Sequence, residues 1–148
     1  MIDSTRVMEK LDLLGGYVAR LRVISSLSRE EFLGDPDKPA AAESYLRRSL
    51  EAVFDIGRHI LAKTGGVSLA GEYKSIARGL GDRGVISKSL SGVLVQMAGY
   101  RNRLVHLYHQ VSDEELYTIM QGGLPDLERF VREIAAFVQR STDTCTLT

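Results

Sequence analysis

Apolar residues recur at steps of three and four along four long stretches of the chain, the spacing of one face of an α-helix. In the first stretch, about residues 3–26, this face consists of Val7, Leu11, Leu14, Val18, Leu21 and Ile24. The other three stretches run from about residue 39 to 63, 87 to 111 and 113 to 140. No stretch shows the sustained alternation of a β-strand. The pattern therefore predicts an all-α protein, an antiparallel four-helix bundle.

Between these stretches the sequence predicts shorter elements. The connector at residues 27–38 contains a short turn with the spacing of a capping box, Ser28 followed three residues later by Glu31. A short extra helix is expected near residues 72–80, between the second and third long helices. The run Gly122-Gly123-Leu124-Pro125 is expected to kink or briefly break the fourth helix.

The length of 148 residues suits one domain, 1–148, with about 142–148 as a flexible tail. No apolar run approaches the ~20 residues that a membrane helix needs, and the first residues lack the apolar segment of a signal peptide. We therefore expect a cytoplasmic protein. The single cysteine, Cys145, excludes an intramolecular disulfide and any multi-cysteine metal site.

Charge is unevenly distributed although the formal net charge is zero. By count of Lys, Arg, Asp and Glu, residues 1–56 carry −2, residues 57–111 carry +6 and residues 112–148 carry −4. All three histidines also lie in the middle segment. Two interpretations stay open. The segments neutralise one another across helix interfaces, or the middle segment lines an anion-binding groove.

Arg101 interrupts the apolar face of the third long helix. That face is formed by Leu90, Leu94, Met97, Leu104, Val105 and Tyr108, and position 101 falls in the same row. Burying a guanidinium without a partner costs several kcal/mol. We therefore expect Arg101 to meet an acidic group such as Glu51 or Asp55 of the second helix, a second subunit, or an anionic ligand.

The residues around Arg101 include further groups with useful chemistry. Arg101 and Tyr108 fall on nearly the same helix face, while Asn102 and His106 share an adjacent one. An imidazole can transfer a proton near neutral pH and a guanidinium can bind a phosphate, so the pair could cleave RNA without a metal. The simpler alternatives are an Arg101 that snorkels to the surface or pairs with Glu51 or Asp55, an ordinary surface or core histidine at position 106, and a core aromatic at Tyr108. Arg103 is expected on a solvated face.

The spacing Arg-Asn-x-x-x-His, here Arg101 to His106, resembles the signature of the HEPN superfamily. The stretch 101–108 is similar to its HepT toxin branch, whose motif is arginine, four residues, histidine, any residue and tyrosine. Further similarities are found at Glu72-Tyr73, Gly84-Val85-Ile86, Met97-Ala98-Gly99 and Leu124-Pro125-Asp126-Leu127-Glu128. The resemblance covers about residues 40–140.

This resemblance implies an all-α homodimer in which the motif helices of two subunits face each other across a cleft. It implies a metal-independent endoribonuclease with no cofactor, the toxin of a type VII-like toxin–antitoxin system. Arg101 and His106 would be catalytic, and Asn102 would support the site. The implied partners are the RNA substrate and a MntA-like nucleotidyltransferase antitoxin, which would neutralise the toxin by transferring AMP to Tyr108.

Two other functions are compatible with the sequence. The chain could be a non-catalytic helical partner, a substrate-binding subunit, of a nucleotidyltransferase. It could also be a structural bundle in which the motif only packs. No element for nucleobase recognition is evident, because the aromatic residues are few and lie at core spacing.

Overall fold

The computed structural model describes residues 2–64, 72–106 and 110–147, with side chains as far as residue 143. In these ranges the chain forms six α-helices and no strand. They are α1 (Ser4–Ser25), α2 (Arg29–Gly34), α3 (Asp37–Lys63), α4 (Tyr73–Asp82), α5 (Lys88–His106) and α6 (Asp113–Leu147). The predicted all-α class is confirmed, and α4 is the predicted extra helix between the second and third long helices.

The four long helices α1, α3, α5 and α6 form the bundle. Near the end of α1, Arg22 forms an ion pair with Glu128, and the side-chain amide of Gln121 donates to the carbonyl of Ser25 at 2.7 Å. From Arg22 to Ser25 the chain moves forward along α1, while the contacting residue on α6 moves back from Glu128 to Gln121. The two helices are therefore antiparallel. None of the helices in the described ranges has the length and apolar character needed to cross a membrane.

The core lies between the faces that the sequence pattern predicted. All six residues of the predicted α1 face are buried. The largest fully buried side chains come from all six helices: Phe32, Phe54, Phe130, Leu14, Leu21, Leu50, Ile56, Ile60, Leu61, Ile76, Leu80 and Leu90. Burying side chains of this size contributes about 1.5–3 kcal/mol each, so the apolar faces are the main source of stability.

Close backbone contacts hold the short helix α4 against α3 and α5. A Cβ atom added to Gly81 would lie 2.6 Å from both Cβ and Oγ of Ser91 on α5. One added to Gly57 on α3 would lie 2.6 Å from Cγ2 of Ile76. The Ser91 hydroxyl also donates to the carbonyl of Ala77 at 2.7 Å. A side chain at either position would therefore force α4 to shift against its neighbours.

The short turn predicted between the first two long helices is the helix α2. The Ser28 hydroxyl accepts from the backbone N–H of Glu31, and the Glu31 carboxylate accepts from the backbone N–H of Ser28. The predicted capping box is confirmed. Hydrogen bonding of the Glu31 carboxylate, first by the backbone N–H of Ser28 and then by its side chain, lowers the pKa of Glu31, because it favours the ionised form.

Of the two outcomes predicted near Pro125, the break is wrong, because α6 continues through it, and the kink stays a prediction. Pro125 is exposed, so water can reach the carbonyl of Gln121 that has lost its helical donor. Buried Leu124 and Leu127 keep the helix on the core on both sides of the proline. α6 also extends to Leu147, past the end predicted near residue 140. The described part of α5 runs to His106, and the three residues that follow it, before the end predicted near residue 111, lie outside the described ranges. The single domain and the flexible tail stay predictions.

Candidate functional site

Arg101 lies in the last two turns of α5, and its side chain is only 11% exposed. Its Nε–H donates to Oε1 of Glu51 at 3.2 Å, and Nη2 lies 3.1 Å from the same oxygen. The guanidinium carbon is 4.1 Å from the centroid of the Tyr73 ring. The predicted acidic partner is therefore Glu51, whereas the other candidate, Asp55, pairs with Arg58 at 3.2 Å.

The guanidinium of Arg101 is held in place, but the described residues accept hydrogen bonds from only some of its N–H donors. A guanidinium carries five N–H donors, two of them on each terminal nitrogen. Nη1 donates one hydrogen bond, to Oδ1 of Asn102 at 3.3 Å, and Nη2 contacts Oε1 of Glu51. Each terminal nitrogen thus keeps one N–H that no described residue accepts. Two such donors on one planar group match the geometry of two phosphate oxygens.

Arg101 and His106 occupy different faces of α5. Five residues at 100° each place them about 140° apart around the helix. His106 is the last described residue of α5 and is exposed, as is Asn102 four residues earlier on the same face. Within the described ranges no contact joins the side chains of Arg101 and His106. One copy of the chain therefore brings Arg101 and Asn102 together but leaves His106 apart from Arg101.

Tyr108 lies outside the described residues, so its predicted position on the face of Arg101 stays a prediction. The side chain of Cys145 also lies outside them. In the described part of the chain, no group of three or more His, Cys, Asp or Glu residues is placed to hold a metal ion.

Arg103 has a role that the sequence pattern did not indicate. Its Nη1 and Nη2 donate to the two carboxylate oxygens of Glu115 at 2.6 and 2.7 Å, and Nη2 also donates to the Gln110 carbonyl at 3.4 Å. The hydrogen bonds from Arg103 lower the pKa of Glu115. Arg103 therefore links the end of α5 to the beginning of α6. The sequence did contain a signal for this pair, because Arg103 and Glu115 carry opposite charges on the two sides of the short connection between α5 and α6.

An open groove of about 290 Å³ runs beside the motif helix, between α3, α5 and α6. Met97 and Tyr100 of α5 line it, opposite Ile119 of α6. Gly122 and Gly123, the pair expected to disturb α6, form part of its wall. The missing side chains at these two positions leave room for the groove, which explains the glycine pair better than a helix break.

A model of the protein family described as ribonuclease HepT-like matches residues 14–134. The chain belongs to the HepT-like family. This match covers most of the chain and includes the motif residues Arg101, Asn102 and His106. The family assignment made from the resemblance at residues 101–108 is confirmed.

Similar proteins span nearly the full length of this HepT-like chain. The tRNA nuclease HepT of Aphanizomenon flos-aquae (strain 2012/KM1/D3) is 23% identical over 137 residues, which are 93% of this chain and 92% of that protein. A Shewanella oneidensis HEPN toxin, solved tri-AMPylated in complex with MNT antitoxin, has a TM-score of 0.76 and 25% identity, covering 92% of this chain and 99% of that one.

A third similar structure supports the fold alone. YutE from Bacillus subtilis, described as a cytosolic protein of unknown function, has a TM-score of 0.78 at 19% identity, covering 95% of this chain and 93% of that one. The overall fold is therefore shared by chains of low sequence identity.

Proposed function

We propose that this HepT-like chain is the toxin of a toxin–antitoxin system and acts as a metal-independent endoribonuclease. The observation that carries the proposal is the state of Arg101, which is held by Glu51 and Tyr73 yet keeps two N–H donors on its terminal nitrogens that no described residue accepts. The similarity to a tRNA nuclease supports an RNA substrate.

The proposed reaction is a transfer within the RNA. The 2′-oxygen attacks the neighbouring phosphorus, the bond from phosphorus to the 5′-oxygen breaks, and a 2′,3′-cyclic phosphate and a 5′-hydroxyl result. The imidazole of His106 would take the proton of the 2′-hydroxyl or give one to the leaving oxygen. Arg101 would stabilise the negative charge that develops on the phosphate oxygens. Asn102, which accepts a hydrogen bond from Arg101, would support its orientation.

The proposed active form is a homodimer. Because Arg101 and His106 of one chain lie about 140° apart around α5, one phosphodiester is more easily reached by Arg101 of one subunit and His106 of a second subunit. Two-fold symmetry would then produce two equivalent sites in a cleft between the motif helices. Light scattering coupled to gel filtration tests this arrangement, and a purely monomeric active protein would contradict it.

The nuclease proposal is tested by incubating purified protein with end-labelled RNA in excess EDTA. We expect the wild type to cleave, and Arg101→Ala and His106→Ala to lose at least about 100-fold in rate, the range typical of removing one such group. Arg20→Ala, which removes an exposed arginine of α1, is the matched control and should cleave normally. Intact RNA with the wild type would refute the proposal.

We further propose that a MntA-like nucleotidyltransferase antitoxin neutralises the toxin by transferring AMP to Tyr108. The tri-AMPylated Shewanella toxin with its MNT antitoxin supports this proposal. An added phosphodiester would bring negative charge next to Arg101 and compete with RNA. Intact mass after co-expression with the antitoxin should show added AMP, and Tyr108→Phe should lose it. Tyr17→Phe, on α1, is the control.

One observation also fits a non-catalytic partner of a nucleotidyltransferase. The ion pair between Arg101 and Glu51 satisfies part of the buried charge without any substrate. In that case the two proteins would form a complex while RNA stays intact with every variant. The cleavage assay in EDTA and a pull-down with the antitoxin separate the two functions.

A further inference from the structure

We propose that Tyr73 and Glu51 are positioning residues that hold Arg101 in the orientation needed to bind a phosphate. This inference rests on the proposed function and identifies how its site is built. Neither residue belongs to the motif at 101–108. Tyr73 is the first residue of α4, and Glu51 lies in the middle of α3, so three helices meet at one guanidinium.

Tyr73 forms a platform for Arg101. The distance of 4.1 Å from the Arg101 guanidinium carbon to the ring centroid is the shortest of the four such contacts in the described part of the chain. The Tyr73 ring is itself held edge-on against the buried ring of Phe54, with centroids 5.2 Å apart at 70°. An arginine stacked on an aromatic face is attracted by the ring quadrupole and loses rotational freedom.

Glu51 fixes the rotation of the guanidinium within that stack. Both Nε and Nη2 lie within 3.2 Å of a single oxygen, Oε1, so the carboxylate holds one edge of the planar group. The stack on Tyr73 sets the plane of the guanidinium, and the ion pair with Glu51 sets which edge of the guanidinium faces α3. The remaining N–H donors on the terminal nitrogens then point in fixed directions, so binding a phosphate costs less side-chain entropy.

The molecule contains a matched arrangement away from the motif. Tyr117 of α6 packs against the buried ring of Phe32 with centroids 5.1 Å apart, and the guanidinium carbon of Arg29 lies 5.2 Å from the Tyr117 centroid. Arg29 is exposed and donates to Thr118 at 3.3 Å. Replacing Tyr117 therefore removes a similar phenylalanine–tyrosine–arginine contact without touching Arg101.

The experiment compares Tyr73→Phe, Tyr73→Leu, Glu51→Gln and Glu51→Ala, with Tyr117→Leu as the control, in steady-state RNA cleavage. We expect Tyr73→Leu and Glu51→Ala to lower kcat by about tenfold or more with a smaller change in KM, because a misoriented Arg101 stabilises the transition state less well. A tenfold loss in kcat corresponds to about 1.4 kcal/mol of transition-state stabilisation. Tyr73→Phe and Glu51→Gln should recover most of the loss. Tyr117→Leu should lower the thermal midpoint while kcat stays at the wild-type value.

A second measurement does not depend on cleavage. The Nε–Hε signal of Arg101 in a ¹H–¹⁵N NMR spectrum should carry a ring-current shift that persists in Tyr73→Phe and disappears in Tyr73→Leu. In Glu51→Ala the Arg101 proton should exchange faster with water. Unchanged Arg101 signals in both Tyr73→Leu and Glu51→Ala would overturn the positioning role.

Whether Glu51→Ala lowers or raises the cleavage rate shows whether Glu51 positions Arg101 or competes with the RNA phosphate for it. If Glu51 instead masked Arg101 from the substrate, Glu51→Ala would raise the cleavage rate, and this would overturn the proposal. Equal rates in Tyr73→Leu and the wild type would also overturn it. If the wild type cleaves no RNA, the proposed function fails, and the NMR measurement alone decides whether Tyr73 and Glu51 hold Arg101.

Discussion

Arg103 and Glu115 form a two-bond ion pair across the connection between α5 and α6, with N–O distances of 2.6 and 2.7 Å. Both side chains are about one-third exposed, so solvent screens the pair and its effect on overall stability is small. Its effect on geometry is larger, because it joins the helix that carries Arg101 and His106 to the beginning of α6. The pair also brackets the segment that contains Tyr108.

The first prediction concerns this ion pair. The charge reversals Arg103→Glu and Glu115→Arg should each lower RNA cleavage several-fold while the thermal midpoint changes by only a few degrees. The double reversal restores opposite charges and should recover most of the activity. Arg47→Glu, which breaks an ion pair with Glu43 within α3, is the control and should cleave normally. A double reversal as inactive as the single ones would contradict the prediction.

The second prediction concerns the packing of α4. Gly81→Ala should destabilise the fold by about 1–3 kcal/mol, because the new Cβ would lie 2.6 Å from Ser91 and α4 would have to shift. Gly92→Ala is the matched control. Gly92 lies inside α5 with nothing within 4 Å of an added Cβ, so alanine should stabilise the helix by up to about 1 kcal/mol.

Urea denaturation measures both alanine variants. Because α4 begins at Tyr73, Gly81→Ala should also lower RNA cleavage, and Gly92→Ala should not. Equal stability of the two variants would show that α4 does not depend on the close approach to α5.

The third prediction concerns His59 on α3. Its Nε2 is buried, and no described residue provides a hydrogen-bond partner. Burial lowers the pKa of His59 below its ordinary value of 6.5, and the charges of Arg6 and Lys63 lower it further. The unfolded chain therefore binds a proton more readily than the folded one. The resulting stability is complete above pH 6.5 and is lost as the pH falls below that value.

The free energy of unfolding, measured in urea between pH 7.5 and 5, tests the His59 prediction. The wild type should lose more stability over this interval than His59→Gln, which cannot take up the proton. Parallel pH profiles for the wild type and His59→Gln would contradict the assignment.

Features that depend on local spacing could be predicted from the sequence. The buried face of α1 follows from residues three and four apart, and the capping box of α2 follows from Ser28 and Glu31. The pairing of Arg101 with an acidic residue of α3 could also be predicted, because a charge within an apolar face requires a partner. Choosing Glu51 over Asp55 required the structure.

Features that depend on how distant helices meet could not be predicted. The contact between Tyr73 and Arg101 depends on the tight packing of α4, which two glycines permit. The continuity of α6 at Pro125 depends on buried residues on both sides of the proline, whereas the local rule indicated a kink or a break. Arg103 was expected on a solvated face because its partner, Glu115, lies on the next helix.

The most direct test of the account is RNA cleavage in EDTA by a mixed dimer of one Arg101→Ala subunit and one His106→Ala subunit, isolated with two different tags. Each variant alone should be inactive. If Arg101 of one subunit acts with His106 of the other, the mixed dimer keeps one intact site and should show about half the wild-type rate, because a dimer with two-fold symmetry has two sites. A mixed dimer as inactive as its parents, beside an active wild type, would contradict a site shared between subunits.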